Sequence, residues 1–213
     1  MTAHDKTDFT RELVFVLHGF GSNRFIMSLL ARRIGQAGYR VRNWAYPSLL
    51  RRTDHHAERL HDALHVAAAA DDVERVHIVG HSMGGIVARR ALQLGVPAKF
   101  GRLVMLAPPN HGSRYANPWA SSLGRVIQPI AELCEHEESF VNRLAPPEGV
   151  EFGVIAASAD MMVRRERTHL TGERDYLVIP ASHTILCLRR QTAEQAVTFL
   201  RTGRFARAET KVT

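Results

Sequence analysis

Val76-His77-Ile78-Val79-Gly80-His81-Ser82-Met83-Gly84-Gly85 is the stretch from which the fold of this chain can be read. The β-branched run Val76 to Val79 leads into G-x-S-x-G at Gly80 to Gly84, and the helix-forming run Ile86 to Leu92 leads out. The serine therefore falls on a sharp strand-to-helix turn, the nucleophile elbow. A serine hydroxyl has too high a pKa to attack a carbonyl unaided. It must stand clear of the backbone, within reach of a base and beside donors for the developing oxyanion. Gly80 and Gly84 remove the Cβ atoms that so tight a turn cannot hold, and the helix N-terminus offers free N–H groups and the positive end of its dipole.

On either side of this turn, strand-like apolar runs alternate with helix-like amphipathic runs, the pattern of an α/β sheet with crossover helices. Leu13 to Leu17 reads as the first strand, followed by the loop His18 to Asn23 and a helix from Arg24 to Ala37. Tyr39 to Asn43 is the second strand, and Pro47 implies an irregular exit from it. Thr53 or Asp54 caps a helix reaching Ala70, with Leu60, Leu64 and Ala67 as its core stripe. This helix also carries His55, His56, His61 and His65. His61 and His65 have metal-clamp spacing, but no glutamate follows His61, so these histidines read as a polar face and no metal site is expected. Later strands are Arg102 to Leu106, Phe152 to Ala157 and Tyr176 to Ile179, and Thr192 to Thr202 is the closing helix. Between Arg114 and Gly149 the strand rhythm lapses. Trp119, Leu123, Val126, Leu133, Val141 and Leu144 lie on short helices broken by Pro118 and Pro129, a segment that either caps the site or packs on the sheet. The tail 203–213 is expected to fray.

A nucleophilic serine needs an imidazole base, and the imidazole needs a carboxylate to fix its tautomer. On a sheet of this kind the chain order is serine, acid, histidine. Of the twelve histidines, only His169 and His183 lie late enough. His183 sits just past the last strand, on the edge that carries Ser82, whereas His169 lies between elements and reads as a surface residue. For the acid, Asp160 follows the strand ending at Ala157. Asp175 enters the last strand from its opposite end and reads as a turn or cap residue. The two oxyanion donors are expected to be the N–H groups of Met83, at the start of the elbow helix, and Phe20, in the loop His18-Gly19-Phe20-Gly21. His18 braces that loop.

With 213 residues, 45% of them hydrophobic, the chain can bury one sizeable core, and a single domain over 1–213 is expected. The first apolar run is too short to cross a bilayer, and Met1 to Thr10 has no signal-like apolar stretch, so a soluble, cytoplasmic protein is expected. Cys134 and Cys187 share no metal-ligand spacing and read as isolated thiols. The net charge of +7 comes from dispersed arginines without a basic run interleaved with aromatics, so no nucleic-acid partner is expected. Attraction to acidic surfaces or anionic substrates is left open.

Taken together, the chain resembles the α/β-hydrolases, and among them the compact bacterial lipases and esterases. The resemblance covers Leu13 to Leu200 and rests on the loop His18 to Gly21, the elbow Gly80 to Gly85 and the loop Pro180 to Thr184. It implies a minimal version of the fold, a six-stranded and mainly parallel sheet with helices on both faces, without the two extra N-terminal strands of larger members. It further implies a serine hydrolase cleaving carboxylic esters of small molecules through an acyl-enzyme, without a cofactor. The alternatives are a thioesterase, amidase or acyltransferase on the same residues, or a non-catalytic binding protein. One departure stands out. Where relatives often read Asp-Gly-x-Val, this chain has Asp160-Met161-Met162-Val163, so Met161 is expected to alter the turn and narrow the pocket.

Overall fold

The computed structural model describes residues 9–114 and 128–207. In chain order they form β1 (Glu12–Leu17), α1 (Arg24–Gln36), β2 (Arg40–Trp44), α2 (Thr53–Ala69), β3 (Arg75–His81), α3 (Met83–Leu94), β4 (Phe100–Leu106), α4 (Gln128–Glu132), α5 (Phe140–Arg143), β5 (Glu151–Ala157), β6 (Asp175–Ile179) and α6 (Arg190–Thr202). The six strands make one sheet in the order β2-β1-β3-β4-β5-β6, every neighbouring pair parallel.

Parallel strands need both faces covered, which is why their apolar runs are nearly continuous. One face packs against α2 and α3 through Leu60, Leu64, Ile86 and Val87. The other packs against α1 and α6 through Met27, Leu30, Ala196 and Phe199. The chain first builds outward from β1 to β2, then returns to lay β3 on the other side of β1. The carboxyl ends of β1 and β3 therefore diverge at a topological switch point, the place where open α/β sheets form their ligand crevice.

Register brings the strand ends level. Leu17 faces Gly80, His81 faces Leu106, and Ala157 faces Ile179. Beyond these pairs the loops continue the ladder. The Ser82 N–H donates to Leu106 O at 2.8 Å, Ala107 to Ile155 O at 2.8 Å, and Ser158 to Ile179 O at 3.0 Å.

Three expectations are corrected. Thr53 does not cap α2 with its side chain; Arg52 occupies the cap position, and the buried Glu132 of α4 accepts the Thr53 N–H at 2.8 Å while pairing with Arg52 at 3.0 Å. His56 does not belong to a polar face. It is fully buried against Tyr46, with ring centroids 4.8 Å apart. Residues 203–207 do not fray: Phe205 is buried, its N–H donates to Asp175 at 2.7 Å, and Arg207 pairs with the same carboxylate. In the stretch 114–149, Leu133, Val141 and Leu144 join the core on the α2–α3 face. Trp119, Leu123 and Val126 lie outside the described residues, as do 208–213. No helix among the described residues is long and apolar enough to cross a membrane.

Candidate active site

Ser82 is the hinge between β3 and α3, and its backbone carries the cost of that position. Its φ of 52° and ψ of −123° lie outside the regions ordinary L-residues favour, a strain of about 1–3 kcal/mol that persists only where the surroundings enforce it. They enforce it through close packing. A Cβ on Gly80 would sit 2.7 Å from the backbone of Gly84, and one on Gly84 would sit 2.7 Å from His18 O and 2.9 Å from Leu17. The elbow is thus pressed against the end of β1, and a Cβ on Gly19 would stand 3.0 Å from Ser82 Cβ. The loop after β1 borders the serine directly.

Ser82 donates to Leu106 O and Gly85 to Ser82 O, whereas the N–H groups of Met83 and Phe20 have no acceptor among the described residues. The loop carrying Phe20 is braced by its neighbours. His18 stacks on Tyr46 at 4.4 Å, the Tyr46 hydroxyl donates to His18 O at 2.6 Å, and Gly21 N–H donates to Ser48 Oγ at 3.1 Å. Tyr46 N–H approaches His18 Nε2 at 3.5 Å, so the ring proton belongs on Nδ1, 2.9 Å from Gly19 O. Burial agrees with this neutral form, holding His18 below the usual histidine value.

Asp160 and His183 meet on the same edge from the loops after β5 and β6. Asp160 Oδ2 accepts from His183 Nδ1 at 2.7 Å, with both side chains almost fully buried. Its Oδ1 accepts the N–H groups of Met162 and Val163 at 2.8 and 2.9 Å. With Nδ1–H committed to Asp160, a neutral His183 keeps its lone pair on Nε2. The substitution of methionine for glycine after Asp160 leaves this arrangement intact. Met161 is 75% exposed and points away from the core.

His81, read only as a member of the motif, makes a contact with His183 that sequence reasoning missed. Its Nε2–H donates to the carbonyl of His183 at 3.2 Å, and the two rings lie 4.8 Å apart. The residue before the serine thereby holds the histidine loop. Motif spacing gives no signal for a contact between residues 102 positions apart. His169, by contrast, is an exposed partner of Glu173, and Asp175 binds the tail, so neither joins the group.

Burial, aided by the nearby His183, pushes the His81 pKa from 6.5 down to about 3. Burial, aided by His55, pushes His56 from 6.5 to about 4. Between pH 6.5 and 4 the unfolded chain takes up these protons and the folded chain does not, so stability falls with falling pH. The slope is about 1.4 kcal/mol per pH unit for each such histidine. Among the described residues neither ring nitrogen of His56 has a partner at full hydrogen-bond geometry, the Arg51 backbone making only a weak approach, so His56→Phe should remove its share of the slope at little cost in hydrogen bonding. Denaturant midpoints at several pH values across that window check this.

A sequence profile of the Alpha/beta hydrolase family matches residues 13–212. A Mycoplasma pneumoniae protein named as an esterase/lipase is 30% identical over 101 residues, which are 46% of this chain and 37% of that one. The mature form of the Bacillus licheniformis lipase BlEst2 superposes with a TM-score of 0.67 at 14% identity, covering 92% of both chains. Aspergillus fumigatus lipase B gives a TM-score of 0.74 at 15% identity, over 94% of this chain and 55% of that one. At these identities the two structures bear on the fold alone.

Proposed function

The chain belongs to the alpha/beta hydrolase family, and from that premise we propose that it is a serine hydrolase of carboxylic esters acting through an acyl-enzyme on Ser82. The observation that carries the reading is the Asp160–His183 hydrogen bond of 2.7 Å on the sheet edge where the strained Ser82 stands. His183 Nε2 takes the Ser82 proton as Oγ attacks the ester carbonyl, while Phe20 and Met83 N–H groups bind the oxyanion. The tetrahedral intermediate collapses, His183 returns the proton to the leaving alkoxide, and an alcohol departs. Water, deprotonated by the same imidazole, then attacks the acyl-enzyme, and Ser82 regains its proton as the acid is released. Asp160 holds the tautomer and stabilises the imidazolium throughout.

Thioesters, amides and acyl transfer to an alcohol use the same groups, and fold does not choose among them; matched substrates do. The reading is tested by treatment with a fluorophosphonate followed by intact-mass and peptide mapping. One adduct on Ser82, lost in His183→Ala, is the expected result. An unmodified Ser82 in folded protein would overturn it in favour of a binding protein.

A further inference from the structure

Ser82 follows β3 and His183 follows β6, and in the sheet β4 and β5 stand between them. Across the strands their spacing depends on successive links, from Ser82 N–H to Leu106 O, from Ala107 N–H to Ile155 O and from Ser158 N–H to Ile179 O. A shorter path exists. His81, covalently adjacent to Ser82, donates from Nε2 to the His183 carbonyl at 3.2 Å. Among the described residues no other donor reaches that carbonyl, because the N–H groups of Leu186 and Cys187 turn to Ser182 O and Thr184 O. His183 is therefore held at both ends, at Nδ1 by Asp160 at 2.7 Å and at its carbonyl by His81.

The other nitrogen of the same ring meets the loop after β1. A Cβ on Gly19 would lie 3.2 Å from His81 Nδ1 and 3.0 Å from Ser82 Cβ, so the ring is wedged between the loop bearing Phe20 and the loop bearing His183. With the proton on Nε2, Nδ1 keeps a lone pair, and this buried atom has no partner among the described residues. A buried acceptor left unmet costs stability, and an apolar side chain of similar size would not carry one. What the imidazole supplies at this position is its donor. Burial also keeps the ring uncharged, so it sets no cation beside His183 when His183 takes up a proton.

We propose that His81 is a positioning residue that ties the base to the nucleophile, its hydrogen bond to the His183 carbonyl fixing the His183 loop relative to Ser82 by a path that bypasses the sheet. Its effect on rate rests on the serine-hydrolase reading; its effect on the placement of His183 rests on geometry alone. Three variants of the full chain test it. His81→Gln sets an amide N–H at the position of Nε2, His81→Asn carries the same amide one bond short, and His81→Leu has no donor. On a short water-soluble ester, His81→Asn and His81→Leu should lose about 10- to 100-fold in kcat, the cost of a misplaced group, with KM within about 2-fold of wild type. His81→Gln should stay within about 3-fold of wild type in both constants. The proton that His183 Nδ1 shares with Asp160 gives a downfield proton resonance that is read without turnover. It should persist in wild type and His81→Gln and broaden by exchange with water in His81→Asn and His81→Leu. Wild-type kcat and an unchanged resonance in His81→Leu overturn the proposal. So does a His81→Gln that falls as far as His81→Asn, since packing of the ring and not its donor would then be the cause. Should His81→Leu not fold, the two amides decide on the same terms. A wild-type protein inactive on esters, whose resonance still depends on the donor at position 81, refutes the hydrolase reading alone. An active protein indifferent to residue 81 refutes the positioning alone.

Discussion

Replacing Ser82 with alanine is expected to lower turnover of a soluble ester by about 10³- to 10⁶-fold while leaving the fold in place. Alanine keeps the Cβ and the strained backbone of the elbow and removes only the oxygen that, in the proposed mechanism, bonds to the acyl group. The proposed oxyanion donors, Phe20 and Met83 N–H, remain, so a residual rate above the uncatalysed one is expected. Ser82→Gly sharpens the result. Glycine adopts the φ of 52° without penalty, so this variant should be as inactive as the alanine form yet about 1 kcal/mol more stable. Steady-state hydrolysis and denaturant midpoints for both variants separate the chemistry from the strain. Near wild-type hydrolysis by Ser82→Ala would remove the serine from the mechanism.

Gly84→Ala is expected to damage both stability and activity. The added methyl would meet His18 O at 2.7 Å and Leu17 O at 2.9 Å. These are backbone atoms at the end of β1, a strand held between β2 and β3, so they cannot step aside as the end of a flexible side chain could. Relief requires α3 to move away from β1, a misfit of about 1–3 kcal/mol. The same movement separates the Met83 N–H from the loop carrying Phe20, and displacing this proposed oxyanion donor is expected to cost about 10²- to 10³-fold in kcat. Gly85→Ala is the control, because its Cβ would find side-chain atoms no nearer than 3.4 Å. A lowered midpoint and rate for Gly84→Ala, against nearly unchanged values for Gly85→Ala, is the expected pattern. Equal tolerance at both positions would mean that the elbow is not clamped against β1.

Much of this architecture is written in short windows. The apolar runs at Leu13 to Leu17, Arg102 to Leu106 and Phe152 to Ala157 lie within observed strands, because a parallel strand buried on both faces needs a continuous apolar stretch. The strand-turn-helix around Ser82 is equally local, since its glycines, its β-branched entry and its helical exit are consecutive. Chain order and strand ends made Asp160 and His183 the candidates, and the structure joins these two by a 2.7 Å hydrogen bond.

The contacts that position these groups are of another kind. Glu132 completes the start of α2 from 79 residues away, His81 holds the His183 carbonyl across 102 positions, and the tail closes on Asp175. His56 had the sequence environment of a polar helix face and is instead buried beside Tyr46. Periodicity, turn residues and chain order report forces acting within a few residues, and from them the sequence by itself determined the α/β class, the elbow and the candidates for its partners. Strand order and register decided the rest, because burial and hydrogen bonding between distant segments depend on which neighbours the closed sheet supplies.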